Sequence, residues 1–230
     1  RFGNPSSCYY FNGNSYIEIP TGGSFNFVDQ LTISVWVKPT TNSGGVVGIF
    51  DKTHGLSGET NSWAIEYFPT GNHVYFNEAY SPQTFYVAGY IPLTTNNWNH
   101  FLVTKQGTTI QYYLNGILVL TGNAPSSSMI SNGNLPLLFG AQNGGKTTPA
   151  SGISRCFTGY LDDILIYNRK LNTQEIALLN NYQNPTSQPT GQPTTQPSKQ
   201  PLALPTSQPS TQPTGRPTSQ PSLQPTGQPT

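Results

Sequence analysis

Charged side chains are scarce in this chain: Asp, Glu, Lys and Arg make up 8% of its 230 residues, against roughly 25% in an ordinary soluble domain. Ten Lys and Arg stand against nine Asp and Glu, for a formal net charge of +1. So few cations build no basic patch, which argues against a nucleic-acid partner and against electrostatic anchoring to a membrane. Long apolar runs are missing as well. Nothing approaches the about 20 residues of a membrane-spanning helix, and no charged-then-apolar leader follows Arg1. The sequence starts mid-phrase and stops mid-repeat, so we expect a processed or partial piece of a longer protein. Cysteine occurs twice, as Cys8 and Cys156. The two are too few and too distant for a zinc site and form no Cys-x-x-Cys motif. Two readings stay open: one disulfide in an oxidising compartment, or two buried free thiols.

What is present is polar but uncharged. Asn, Thr, Ser, Gly and Tyr supply the polarity, as on many secreted proteins that live among sugars. From residue 185 onward a proline falls at every fourth position, from Pro185 to Pro229, with the consensus Pro-(Thr/Ser)-x-Gln. Nothing before it is similar. The chain therefore divides into a head, residues 1–184, and a repetitive tail, residues 185–230.

The head alternates apolar and polar residues with period two, the signature of half-buried strands. In Leu31-Thr32-Ile33-Ser34-Val35-Trp36-Val37-Lys38 the aliphatics fall on one face and the polar groups plus Trp36 on the other. Similar runs are 15–19, 46–50, 63–68, 73–78, 84–90, 100–105, 109–114, 117–120 and 135–139. Asn115-Gly116, between two of them, suits the two left-handed positions of a type I′ hairpin. One helix is expected over Thr173–Tyr182. Asn172 can cap it, Glu175 sits in the capping-box position, and Pro185 stops it.

These signals resemble the laminin-G-like, concanavalin-A-like jelly-roll family, in particular its pentraxin-related branch. Four stretches carry the resemblance: Tyr10–Pro20, Leu31–Pro39, Trp98 through Gly116, and Phe157–Arg169 followed by Leu171 and the Glu175-Ile176 helix. The implied fold is all-β, a two-sheet antiparallel jelly-roll sandwich with one short C-terminal helix. The resemblance also implies that the first and last strands are neighbours, and hence a disulfide between Cys8 and Cys156. No cofactor is required. Many relatives hold a structural calcium, which here implies Asp162, Asp163 and Asn12 as ligands, although the family commonly has Asp at the position of Asn12. The other reading is that one Asp faces solvent and the other caps a turn.

A catalytic apparatus is not legible. Relatives that hydrolyse glycosides often carry Glu-x-Asp-x-x-Glu on one strand, and that motif is absent. Two carboxylates facing across a cleft would be needed, and Glu66 and Glu78 come nearest; we read them as solvated strand carboxylates. Gly-x-Ser-x-Gly is absent too, and His54, His73 and His100 read as structural or surface residues. Sugar binding falls to the polar loops Thr53–Asn61, Ala79–Thr84, Gly122–Asn134 and Gln142–Gly152, with Tyr80, Tyr86 and Tyr90 as stacking platforms.

The tail cannot bury a core. Proline favours polyproline II in it, and 46 residues at about 3.1 Å each reach roughly 140 Å. Ser/Thr- and Pro-rich segments are typical O-glycan carriers. We expect an ordered, extended tail glycosylated at Thr186, Thr190, Thr194, Ser198, Thr206, Ser210, Thr214, Thr218, Ser222, Thr226 and Thr230. Pro201-Leu202-Ala203-Leu204 breaks the repeat, as a contact point or as drift. The tail resembles Pro-Thr-Ser-Gln arrays of secreted algal and protist proteins and of glycan-coated fibrils. That resemblance implies a secreted, extracellular structural subunit, not an enzyme, whose partners are other copies of itself, its O-glycans and extracellular polysaccharide. The alternative is a secreted lectin on a flexible stalk.

Overall fold

A computed structural model describes residues 8–20, 25–41, 44–52, 63–81, 84–129, 136–143 and 153–182. The chain clusters into two units, Arg1–Thr186 and Ser187–Thr230. The proposed glycosylation sites Thr186 to Thr230 all lie outside the described residues.

In chain order the strands begin with β1 (Tyr9–Asn12), β2 (Ile17–Ile19), β3 (Gln30–Pro39), β4 (Val47–Asp51), β5 (Trp63–Phe68), β6 (His73–Ser81), β7 (Thr84–Val87) and β8 (Ile91–Pro92). They continue with β9 (Asn99–Gln106), β10 (Thr109–Leu114), β11 (Ile117–Asn123), β12 (Leu137–Phe139), β13 (Gln142–Asn143), β14 (Ile153–Ser154) and β15 (Thr158–Tyr167), and helix α1 (Thr173–Tyr182) follows. One sheet has the order β1-β15-β3-β9-β10-β11. The second large sheet runs β2-β12-β4-β5-β6-β7, with β8 also paired to β6, and β13 and β14 form a separate two-stranded ribbon. This is the all-β two-sheet antiparallel sandwich with one short helix that the sequence predicts.

Period two decides what the sandwich buries. Leu31, Ile33, Val35 and Val37 of β3 face Trp63, Ile65 and Tyr67 of β5 and Val74 and Phe76 of β6 in one apolar cluster. The hairpin at Asn115-Gly116 forms as expected, with φ of 52° and 80°, the left-handed values a type I′ turn requires.

The core also holds an ion pair. Glu78 is on the inward face of β6, and its carboxylate meets Lys105 Nζ of β9 at 3.0 and 3.1 Å, with both side chains fully buried. Lys105 Nζ donates as well to the Gly107 carbonyl at 2.7 Å.

Helix α1 starts on a complete capping box. Glu175 N–H donates to Asn172 Oδ1 and Asn172 N–H to Glu175 Oε2, both at 2.9 Å. Arg169 holds the same carboxylate with two bonds of 2.7 and 2.9 Å. The guanidinium and the Asn172 amide together hold the Glu175 carboxyl down at about 2. Ile176 is buried on the outer side of β9 against Leu102 and Tyr113. His100 ties the helix to the sheet: it stacks on Trp36, shares a hydrogen bond with the Ser34 hydroxyl at 2.8 Å and reaches Asn180 at 3.2 Å.

The disulfide expectation fails on strand direction. The first and last strands are indeed neighbours, but they run antiparallel, with Tyr9 opposite Leu161 and Asn12 opposite Thr158. Cys8 therefore falls level with Asp162, six residues up the strand from Cys156, or about 20 Å at 3.3 Å per residue. Both cysteines are free thiols in the structure, and burial pushes the Cys156 thiol up.

Candidate functional site

The outward face of the seven-stranded sheet is not the plain solvated surface that its sequence suggests. On β5 the residues alternating with the core are Ala64, Glu66 and Phe68; on β6 they are His73, Tyr75, Asn77 and Ala79. Strand pairing sets Glu66 opposite Tyr75 and Phe68 opposite His73. On the other side of β5, Glu66 pairs with Gly48 of β4. That glycine is needed for a close approach. A Cβ at Gly48 would sit 2.5 Å from the Ala141 carbonyl oxygen and 2.9 Å from Gln142 Cγ. Without a side chain there, Gln142 of β13 reaches across and donates to Glu66 Oε1.

Glu66 becomes the centre of a polar cluster. Asn77 Nδ2 donates to its Oε2 at 2.7 Å, the Tyr75 hydroxyl donates to the same carboxylate, and exposed Arg155 donates to Gln142 Oε1 at 3.2 Å. Burial raises the Glu66 carboxyl above its usual range, opposed by the bonds from Tyr75 and Asn77 and by the Arg155 charge. Tyr75 is in turn pushed up by burial and by that carboxylate. Asn77 Oδ1 is buried with no hydrogen-bond partner among the described residues, on the same outward strand face.

Beside this cluster lies an aromatic step. Tyr90, just before β8, is 60% exposed. Its ring meets Tyr75 edge-on at 5.3 Å and His73 at 4.7 Å, and Phe68 packs on His73 at 5.2 Å. An exposed ring face next to buried amide groups and a half-buried carboxylate that they hold in place is a construction suited to a small polyhydroxylated ligand: apolar stacking for ring C–H groups, fixed hydrogen bonds for hydroxyls.

The sequence named part of this. Tyr90 stands where a platform is expected. Tyr86 does not, because it packs against the core, and the side chain of Tyr80 and residues 53–61 lie outside the description. Glu66 and Glu78 are not solvated carboxylates. They also cannot act as a pair, because Glu66 faces outward and Glu78 inward. Tyr75, Asn77 and Arg155 were missed, and Gln142 was named only as the first residue of a polar loop. The signal available was His73, Tyr75 and Asn77 in outward phase on one strand.

The calcium ligand set is not brought together. Asn12 lies opposite Thr158, four residues from Asp162 and so about 13 Å along β15. Asn12 Oδ1 accepts the Asn14 N–H at 3.0 Å, and Asp162 Oδ1 accepts the Asp163 N–H at 2.9 Å, where Asp163 has φ of 47° in a break of the β15–β3 register. Among the described residues no group of three or more His, Cys, Asp or Glu is placed to hold a metal. These residues do not fit the ion that the resemblance implied.

Solved structures share the fold. Domain 4 of AbnA, a GH43 extracellular arabinanase of Geobacillus stearothermophilus seen in complex with arabinotriose, aligns with TM-score 0.57 at 18% identity over 78% of this chain and 79% of that one. A heptameric SAP-like pentraxin of Limulus polyphemus aligns with TM-score 0.53 at 16% identity, over 74% and 80%. A structure of botulinum neurotoxin type C, whose cell entry is dependent upon interaction with two ganglioside molecules, aligns with TM-score 0.59 at 15% identity, over 78% of this chain but 44% of that one. A family profile agrees with this fold over residues 11–177, and the chain accordingly belongs to the Laminin_G_3 family of the Concanavalin A-like lectin/glucanases superfamily.

Proposed function

We propose that the head is a non-catalytic carbohydrate-binding module of a secreted protein, with the outward face around Glu66 and Tyr90 as its sugar site. The observation that carries this reading is the half-buried Glu66 carboxylate, held by Asn77, Gln142 and Tyr75 beside the exposed Tyr90 ring. The arabinotriose seen with the arabinanase domain and the gangliosides of the neurotoxin support sugar as the ligand class. A glycan-array screen of the full chain tests it. Binding of a neutral oligosaccharide is expected, unchanged by EDTA because no described site residue waits for calcium. Replacing Tyr90 by alanine should weaken it about 10- to 100-fold, the worth of one stacking ring at about 1.4 kcal/mol per decade. No binding across the array, or binding indifferent to Tyr90, would overturn the assignment.

A second reading concerns the tail, and the strict four-residue period favours it: a structural subunit of an extracellular, O-glycosylated fibril or glycocalyx. The repeat has hydroxyls after nearly every proline, and a polyproline II chain, with three residues per turn, would point them in all directions. The head would then cap or attach a glycan-coated rod. Intact mass of the native chain decides. A mass well above the bare polypeptide is expected, and a mass equal to it sinks the O-glycan reading.

A further inference from the structure

The other outer face carries a row of rings that the sugar site leaves unused. On the six-stranded sheet Tyr10 pairs with Tyr160, and Tyr160 pairs with Lys38. On the far side of β3, Trp36 pairs with His100 and Val37 with Asn99, so the next level after Lys38 is Trp98. The alternating residues Phe11, Leu161 and Val37 are in the core, so this cross-strand row faces outward. Tyr10 is 58% exposed. Tyr10 and Tyr160 lie 4.9 Å apart, Tyr160 and Trp98 6.3 Å, which makes a row up to about 11 Å long. Lys38 Nζ sits 5.6 Å above the Tyr160 ring. The row thus alternates apolar ring faces with donors: the Tyr10 hydroxyl, the Lys38 ammonium and the Trp98 indole N–H.

That combination matches one class of partner. A polyproline II segment offers flat proline rings and backbone carbonyls that no internal hydrogen bond satisfies, and aromatic-lined surfaces with donors recognise such segments. The chain itself contains the partner chemistry. Among the repeats from Pro185 to Pro229, Pro201-Leu202-Ala203-Leu204 alone has no Ser or Thr, and it holds two of the three leucines of the tail. It is the one repeat with no Ser or Thr to carry an O-glycan. In polyproline II geometry its flanking prolines, Pro201 and Pro205, stand about 12 Å apart at about 3.1 Å per residue, close to the length of the row.

We propose that the row Tyr10–Tyr160–Lys38–Trp98 docks the Pro201–Pro205 segment of a second copy of this chain. The contact is heterologous, head of one copy to tail of the next, so it does not close on itself and propagates into a linear assembly. One repeat buries far less than a standard interface, so each contact is weak and reversible. It is independent of the sugar reading, whose site lies on the opposite sheet.

Sedimentation velocity of the full chain, over a concentration series reaching about 1 mM (where contacts worth about 4 kcal/mol are half formed), tests it. Concentration-dependent association beyond a monomer is expected, and a synthetic peptide of residues 197–209 should compete and change the tryptophan fluorescence. Replacing both Leu202 and Leu204 by threonine restores the repeat consensus, cannot disturb the head, and should weaken association at least tenfold. Trp98→Ala and Tyr10→Ala should do the same. A chain that stays monomeric, association that the peptide does not compete, or association unchanged in the double leucine variant would each overturn the proposal. Peptide-sensitive docking that is independent of concentration would overturn the second copy as the source of the segment.

Discussion

Replacing Lys105 by methionine is expected to cost about 3–5 kcal/mol of folding stability, because it strands a carboxylate in the core. Glu78 and Lys105 come from opposite sheets and are both fully buried, so neither charge reaches water when the other is removed. The lysine also satisfies the Gly107 carbonyl, which loses its donor in the same substitution. Denaturant unfolding should show a lower midpoint with an unchanged slope, since the surface exposed on unfolding is the same. Replacing Lys105 by methionine and Glu78 by leucine together should recover most of the loss, because an apolar pair of similar volume escapes the desolvation that the ion pair carries. Burial raises the Glu78 carboxyl, and Lys105 partly opposes it. A raised carboxyl contributes stability that is fully present below the unfolded value, about 4.3, and lost as pH rises through the folded value. Removing the cation raises the folded value further, so the deficit of the single variant should shrink on acidification. A deficit below about 1 kcal/mol, or one that ignores pH, would mean that the pair is solvated.

The second large effect is expected at Glu66. Alanine there removes the acceptor that Asn77, Gln142 and Tyr75 share, and leaves those donors without the group that orients them. Hydrogen bonds to a charged group contribute about 1.5–3 kcal/mol each, so loss of the arrangement should weaken sugar binding by a factor of about 100 or more. Glutamine is no rescue, because its own NH2 must confront one of the two amide donors. Acid separates binding from folding at this residue. Burial has raised the Glu66 carboxyl, so its contribution to stability grows as pH falls through the folded value towards the unfolded one. Protonation meanwhile removes the charge that the amides and Arg155 are arranged around. Calorimetric titration across that range should therefore show affinity falling while the melting temperature does not. Affinity that is flat with pH and insensitive to Glu66→Ala would place the sugar elsewhere.

How much of this was legible differs by element. The β3 stripe, the Asn115-Gly116 hairpin and the capped helix from Thr173 are local features, each set by residues within a few positions of one another. Glu66 was misread because a lone carboxylate on a strand is ordinarily solvated, and nothing near it in sequence announces Gln142, 76 residues on. Gly48 was silent for the same reason: its importance is the close approach of Gln142, a contact between segments far apart in the chain.

The sequence by itself determined the alternation that makes two sheets, the turn and cap chemistry that ends their elements, and the four-residue period of the tail, because these depend on neighbours in the chain. Only the tertiary structure decided direction and face. The antiparallel run of β1 along β15 carried Cys8 away from Cys156 and Asn12 away from Asp162. Pairing across β4, β5 and β6 gathered Gly48, Glu66 and Tyr75 on one surface while turning Glu78 inward. Register between distant strands is fixed by which apolar faces meet in the core. A period of two says that each residue has a face, and the packed sandwich says which one.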